Sequence, residues 1–513
     1  MPPSTLAQFQ FPSVALVGLI CGFFIFRTFL GSNKRLPPGP KAHPLVGNTF
    51  QLAEHYPWLQ LSEWTVKYGS IIHLKVLGTH MVVLGSREIA YELLGKRSAI
   101  YSDRPPMHMA RLSGYGNAVP IQHCGDDSKA QRKFINQEFS PSAIIKYQKI
   151  QERQARKLAQ IILDFPEQLE RQVKFHVGSI IMRTVYGYWL TGPEDPFLTN
   201  PLTAMANFSE AIASGVWLVD ILPFVKYIPK WLPGTSFLSK SEQWKTIVMN
   251  TTYMPYEWSK EQILSGKSLE PNFSASIFNQ NNGVLDPDVE HTLIWSTSSV
   301  MGGGMDNNMS TIMTFILAMI LYPDVQRKAQ QEIFNVIGDS VLPSLSDKPS
   351  LPYVQSLVTE VYRWHPSMPL GIPHCLTQDD NYNGMFLPKD TLVIPNVWHM
   401  MHDPQIFSDP EVFNPERYKG LDSEMQKVTD ITFGFGRRRC PGFDFAQQSI
   451  FAIVATILVT CDILPDVETE LPKAEYTSGG IVFPKPFKYK LQPRSDHMRQ
   501  LLRSYIEEME VLL

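Results

Sequence analysis

The chain has 513 residues, 44% of them hydrophobic and 19% charged, enough apolar material for a large buried core, and by length alone it divides into about three domains. Its net charge of -3 and isoelectric point near 6.5 give no electrostatic basis for binding nucleic acid or an acidic partner. Five scattered cysteines, Cys21, Cys124, Cys375, Cys440 and Cys461, are odd in number and follow no pairing pattern, which points to a reducing compartment.

Residues 9–30 are the first element. No charge or strongly polar group falls between Val14 and Phe26. With Arg27 snorkelling to the interface, the stretch reaches the roughly 20 residues needed to cross a bilayer. A cleaved signal peptide would carry a basic segment ahead of its apolar core, whereas here Arg27 is the first charged side chain and Lys34 and Arg35 follow it. The positive-inside rule then places the main body in the cytosol behind a short lumenal N-terminus. The expected organisation begins with a single-pass membrane anchor at residues 1–31 and a proline-rich hinge at 32–50. In that hinge Leu36-Pro37-Pro38-Gly39-Pro40 prevents any helix from continuing. Asn207-Phe208-Ser209, Asn250-Thr251-Thr252 and Asn272-Phe273-Ser274 match the glycosylation acceptor pattern and would stay unmodified in a cytosolic body.

Residues 70–85 predict a hairpin, with Ile71 to Val76 and Met81 to Leu84 as its strands and a turn at Gly78-Thr79. A helix from Arg87 is expected to end at Gly95, and Tyr101-Ser102-Asp103-Arg104-Pro105 opens a loop that reaches Cys124. Residues 126–187 are mostly helical in pattern. The stretch 200–267, rich in Trp, Phe, Tyr and Pro, is hard to divide into elements.

Asp286-Pro287 is a helix start, a capping residue followed by proline at the first helical position. The helix is predicted to run to Leu321, unusually far for a globular protein. At its middle lies Met301-Gly302-Gly303-Gly304-Met305-Asp306-Asn307-Asn308. Each mid-helix glycine costs about 1 kcal/mol relative to alanine, so function or packing must offset three of them. Pro323 starts another helix, closed by Gly338. In the segment that follows, Glu360 and Arg363 stand at i and i+3. Val354, Leu357, Val358 and Val361 surround them, so the pair is expected to be buried and to need further partners, for which Arg417 is available. Strands are predicted at 391–394 and 481–483, with 476–480 as a turn, and 496–513 predicts an amphipathic helix.

The most specific stretch is Phe433-Gly434-Phe435-Gly436-Arg437-Arg438-Arg439-Cys440-Pro441-Gly442, followed by an apolar run to Leu458. Backbone N–H groups freed by Gly436 and Gly442, the positive end of the following helix and three arginines would all support a thiolate at Cys440. No second cysteine stands at zinc or iron–sulfur spacing, so one axial thiolate on a haem iron fits best. A lone cysteine is otherwise usually a buried structural residue. The pattern Phe-x-x-Gly-x-Arg-x-Cys-x-Gly, filled by Phe433, Gly436, Arg438, Cys440 and Gly442, resembles the haem-binding loop of the cytochrome P-450 family.

This resemblance spans roughly residues 36–494. It implies one mainly α haem domain with a small β portion, at residues 51–495, preceded by a transmembrane helix and followed by a C-terminal helical extension at 496–513. It implies a haem b cofactor whose iron takes Cys440 as axial ligand, with Phe433, Gly436, Arg438 and Gly442 shaping the loop and Arg132, Arg438 and His374 anchoring the propionates. It likewise implies that Glu360, Arg363 and Arg417 form a structural clamp, that residues 106–124 lie over the substrate cavity and that Asp306 belongs to the proton relay. The sequence departs from the family at two points. Ser128 stands where a tryptophan is usual, and Asn307 where a threonine is usual, although the amide of Asn307 still donates hydrogen bonds. His374 as an iron ligand on the open face would block dioxygen.

The implied reaction inserts one oxygen atom from O2 into a hydrophobic small molecule, with electrons from NADPH through a separate membrane-bound reductase. The implied location is the endoplasmic reticulum membrane, and the implied setting is fungal secondary metabolism or oxidation of aromatic compounds. Without the threonine, an isomerase, dehydratase or peroxygenase reaction is a second reading, and a non-catalytic haem-binding membrane protein is a third.

Overall fold

The computed structural model describes residues 35–213, 217–267, 270–466 and 470–511. The predicted anchor at about 9–30 lies outside them. Helices of twelve or more residues dominate: α1 (Pro57–Tyr68), α2 (Asp126–Glu138), α3 (Gln148–Asp164), α4 (Leu169–Tyr186), α5 (Pro196–Ala211), α6 (Ser236–Leu264), α7 (Pro287–Leu321), α8 (Pro323–Ile337), α9 (Pro352–Trp364), α10 (Asp422–Phe433), α11 (Phe443–Thr460) and α12 (Asp496–Val511). Proline stands in the first turn of α1, α5, α7, α8 and α9, where its missing N–H and fixed φ favour helix entry. Asp286 precedes α7 as predicted, but its side chain makes no capping hydrogen bond.

One continuous apolar core joins α2 through α11, so the three-domain division suggested by length does not occur. α11 is apolar and long enough to cross a bilayer, but 72% of it is buried inside the protein, and it packs against α3 and α7 as a core helix.

The β portion is small. β1 (Ile71–Val76) and β2 (Thr79–Leu84) form the predicted hairpin, turning through Leu77 and Gly78 with φ of 45° and 91°. β3 (His374–Cys375), β4 (Asp380–Tyr382), β5 (Met385–Leu387) and β6 (Leu392–Pro395) follow, and the main sheet has the order β1-β2-β6-β3. The parallel pairing of β2 with β6 and the register His374↔Val393 fix β3 at the sheet edge. β7 (Cys461–Leu464) pairs with β8 (Lys490–Pro493). The strand expected at 481–483 is instead irregular. Its amides and carbonyls bond outward, Val482 N–H to the Ser367 carbonyl at 2.9 Å and the Val482 carbonyl to the Ser310 hydroxyl at 2.6 Å, rather than into a ladder.

The helix from Arg87 continues past Gly95 to Lys96 as a π-helical turn. The described part of the hinge is bound to the hairpin, since the His73 N–H donates to the Pro38 carbonyl at 2.8 Å. α12 docks on α3 through buried Met498 and Leu502 and through Arg499, 2.6 Å from Asp164. Of the three glycosylation acceptors, Asn272 is fully buried and caps a short helix, while Asn250 is exposed.

Behind the cysteine loop Glu360 and Arg363 are both fully buried. Arg363 donates to both carboxylate oxygens of Glu360 at 2.8 Å, and Arg417 (3.1 Å), the Tyr418 hydroxyl (2.8 Å) and the Asn414 amide (2.9 Å) complete the set. Arg363 also donates to the Met401 and Val412 carbonyls, so each buried charge has its partners. Glu360→Gln would leave two guanidiniums facing each other without a counter-charge. The variant should lose about 3–5 kcal/mol in urea unfolding, and a loss below about 1 kcal/mol would contradict the clamp.

Candidate active site

A cavity of about 350 Å³ lies between the middle of α7, the start of α11 and the segment 366–374, within the range of small-molecule sites. Cys440 lines it. The loop is held by its own backbone, the Cys440 N–H donating to the Phe433 carbonyl at 2.8 Å. Cys440 is exposed toward the cavity, yet its depth within the fold desolvates the thiol and pushes its pKa up, against the Gly442 N–H and the charges of Arg132 and Arg439, which act in the opposite direction. The enclosure therefore opposes a free thiolate, and a cation at the sulfur is what would favour one.

Phe433 and Gly442 also line the cavity, whereas Gly436 does not. At φ 60° a Cβ on Gly436 would lie 2.1 Å from the Leu94 carbonyl oxygen, so this glycine lets the loop sit against the turn at Leu94. Phe433 packs edge-on against Tyr362 of α9 at 5.4 Å between ring centres, which links the loop to the helix carrying Glu360 and Arg363.

Three guanidiniums share one wall. Arg132 of α2 donates to the Arg439 carbonyl at 2.7 Å. Arg438 spends three donors on the carbonyls of Ser102, Val119 and Gln122. Arg104, from the Tyr101-Ser102-Asp103-Arg104-Pro105 stretch, donates to the Ile372 and Pro373 carbonyls, and its Nε is buried without a partner. Burial lowers the Arg104 pKa to about 9, and the charges of Arg438 and Arg132 add to the shift. No Asp or Glu lines the cavity among the described residues. Buried cations that repel one another, with an orphaned donor and no facing carboxylate, fit a bound group that carries its own acid groups.

His374 also lines the cavity. Its Nδ1 is 2.9 Å from the Tyr101 carbonyl, an acceptor, so this nitrogen carries the proton. Burial and the neighbouring arginines hold the ring's pKa well below its ordinary value. Ser128, at the tryptophan position, is turned to the start of α2, where its hydroxyl exchanges hydrogen bonds with the backbone of Gly125, and it does not line the cavity.

α7 is helical through all three glycines. A Cβ on Gly302 would meet Met205 of α5 at 2.7 Å and one on Gly304 would meet Ile181 of α4 at 2.7 Å, while Gly303 has open space. All three glycines line the cavity, and side chains at Gly302 and Gly304 would also have to displace the tips of Met205 and Ile181. Asn307 lines the cavity but Asp306 does not. The Asp306 carboxyl is buried, and this desolvation raises its pKa to about 6, opposed by Lys174 of α4.

Arg104, Tyr362 and Ser367 also border the cavity; sequence reasoning placed Ser367 only within a cavity-lining segment at 366–374 and assigned no role to Arg104 or Tyr362. Arg104 carried one usable signal, an arginine next to proline at the mouth of a long loop.

Similarity to known proteins agrees with this geometry. Residues 37–491 match the family model described as Cytochrome P450. The chain is 49% identical to cytochrome P450 monooxygenase 105 of Postia placenta over 98% of its own length and 96% of that protein. It is 34% identical to cytochrome P450 monooxygenase claR of Ampulloclitocybe clavipes, covering 94% of this chain and 91% of the relative. Among solved structures, a zebra fish cytochrome P450 with abiraterone superposes with a TM-score of 0.69 at 23% identity, over 86% of this chain and 100% of that one, which concerns the fold alone. Family model, full-length relatives and fold converge, and the chain belongs to the cytochrome P450 family.

Proposed function

We infer that this chain is a haem-thiolate monooxygenase that inserts one oxygen atom from O2 into a hydrophobic small molecule. The observation that carries the reading is a cavity-facing cysteine at the head of α11, enclosed with guanidiniums and, among the described residues, with no carboxylate. Haem b, when bound, supplies the reductive activation of dioxygen, with electrons from NADPH through a separate reductase. Cys440 would hold its iron. Arg104, Arg132 and Arg438 would hold its acid groups, and His374 would join them from the same wall. Ile181, Met205, Phe208, Val248, Trp295 and Ile481 form the apolar walls, which exclude water and suit an aromatic or terpenoid-like substrate of fungal secondary metabolism.

Asp306 stands behind the cavity wall on the side of Lys174. A carboxyl poised near pH 6 both takes and gives protons at neutral pH, so Asp306 passes protons from the outer side of α7 toward the cavity. Asn307 holds a hydrogen-bond partner in place. Its amide releases no proton, and this favours a second reading in which peroxide supports turnover.

The organisation that goes with this activity is an anchor at 1–31 in the endoplasmic reticulum membrane, a hinge at 32–50, a haem domain at 51–495 facing the cytosol and an extension at 496–513. The docking of Pro38 on His73 supports a hinge that sets the body close to the bilayer.

Cys440→Ser should abolish the Soret absorption of the purified full-length protein, and an unchanged Soret spectrum in the variant would overturn the assignment. Asp306→Asn should slow reductase-driven turnover by about 10²-fold. It also has a signature in stability. A carboxyl whose folded pKa is raised from 3.8 to about 6 destabilises the fold as pH rises through that window. Relative to Asp306→Asn, the wild type should therefore lose up to about 3 kcal/mol between pH 4 and pH 7. Parallel pH–stability curves for the two proteins would show that Asp306 is not the buried acid described.

A further inference from the structure

We propose that Ser367 is a positioning residue for the oxygen-side chemistry: it locks the side-chain amide of Asn307 so that this residue presents only a donor to the cavity. The proposal rests on the monooxygenase reading and deepens it.

The Nδ2 of Asn307 lies 3.3 Å from the Gly303 carbonyl and its Oδ1 lies 2.8 Å from the Ser367 hydroxyl. A backbone carbonyl only accepts, so the end of the amide facing Gly303 must be the nitrogen. The oxygen end then takes the Ser367 proton. Reversing the amide would set its oxygen against the Gly303 carbonyl and forfeit that bond. Both residues line the cavity, and the second N–H of Asn307 is left to face it.

Ser367 is itself fixed. Its carbonyl accepts from the Val482 N–H at 2.9 Å, and the Val482 carbonyl accepts from Ser310 on α7 at 2.6 Å. The Thr311 hydroxyl donates to the Asn307 carbonyl at 2.8 Å. Ser367 therefore sits in a loop of hydrogen bonds that begins and ends on α7, one turn from the residue it orients. A hydroxyl at position 307 could accept one hydrogen bond and donate another. With Oδ1 held by Ser367, the amide offers the cavity a fixed N–H in place of that exchange.

The test is the C–O stretching band of the ferrous carbon monoxide complex of the full-length protein, which shifts when a donor faces the ligand, read beside urea stability. Wild type should show one band. Ser367→Ala should shift it and add a second band as the side chain, left with only the 3.3 Å bond to the Gly303 carbonyl, swings away from its held position, and Ser367→Thr should restore the single band. In an Asn307→Val background the band should differ from wild type, and adding Ser367→Ala should change it no further. The same Ser367→Ala variant should release more hydrogen peroxide per NADPH. A single unshifted band in Ser367→Ala, with or without lost stability, overturns the positioning role. A Ser367→Ala effect that persists undiminished in the Asn307→Val background overturns the route through Asn307. Absence of a thiolate-type carbon monoxide spectrum in the wild type would instead refute the monooxygenase reading itself.

Discussion

Three guanidiniums packed around one enclosed cavity repel one another, and no carboxylate among the described residues lines that cavity to relieve them. Each is tied to backbone carbonyls, and those bonds do the mechanical work of the site. Arg132 holds the carbonyl of Arg439 beside the cysteine, and Arg438 holds the loop between Ser102 and Gln122. The same groups that fix the cysteine loop leave a positive wall awaiting an anionic ligand. Around Glu360, on the helix that packs against Phe433 through Tyr362, the charges are fully matched within the chain. Glu360 accepts from two arginines, a tyrosine and a backbone amide. That clamp is therefore satisfied by the chain's own groups, while the arginine wall lacks a matching carboxylate among the described residues.

α7 divides the remaining work between its faces. Its three glycines line the cavity, and Gly302 and Gly304 also leave room for the tips of Met205 and Ile181 from α5 and α4. Asp306 and Asn307 are consecutive, so about 100° of helical turn sends one side chain toward Lys174 and the other into the cavity. That separation keeps a carboxyl perturbed by burial away from the apolar chamber.

Much of this is legible in the sequence. The cysteine loop was readable because glycine, arginine and cysteine occur at fixed offsets within ten residues, and the Glu360 and Arg363 pair because its helix is apolar around it. The β1–β2 hairpin was marked by its turn. The contacts that could not be read join residues distant in sequence. Arg104 reaches Ile372 across 268 positions, and Ser367 reaches Asn307 across 60. The apolar run at 481–483 resembles a strand because periodicity does not reveal that its backbone partners are Ser367 and Ser310 rather than a ladder. Ser128 shows the converse: sequence marked it as a departure, and the structure gives it the local task of closing the start of α2.

The central claim is that one sulfur of this chain ligates a haem iron in the cavity. X-ray absorption at the iron edge of the purified full-length protein tests it most directly. The account predicts a single sulfur neighbour alongside the ring nitrogens, supplied by Cys440. An iron surrounded by nitrogen and oxygen alone, or a protein that carries no iron, would contradict it.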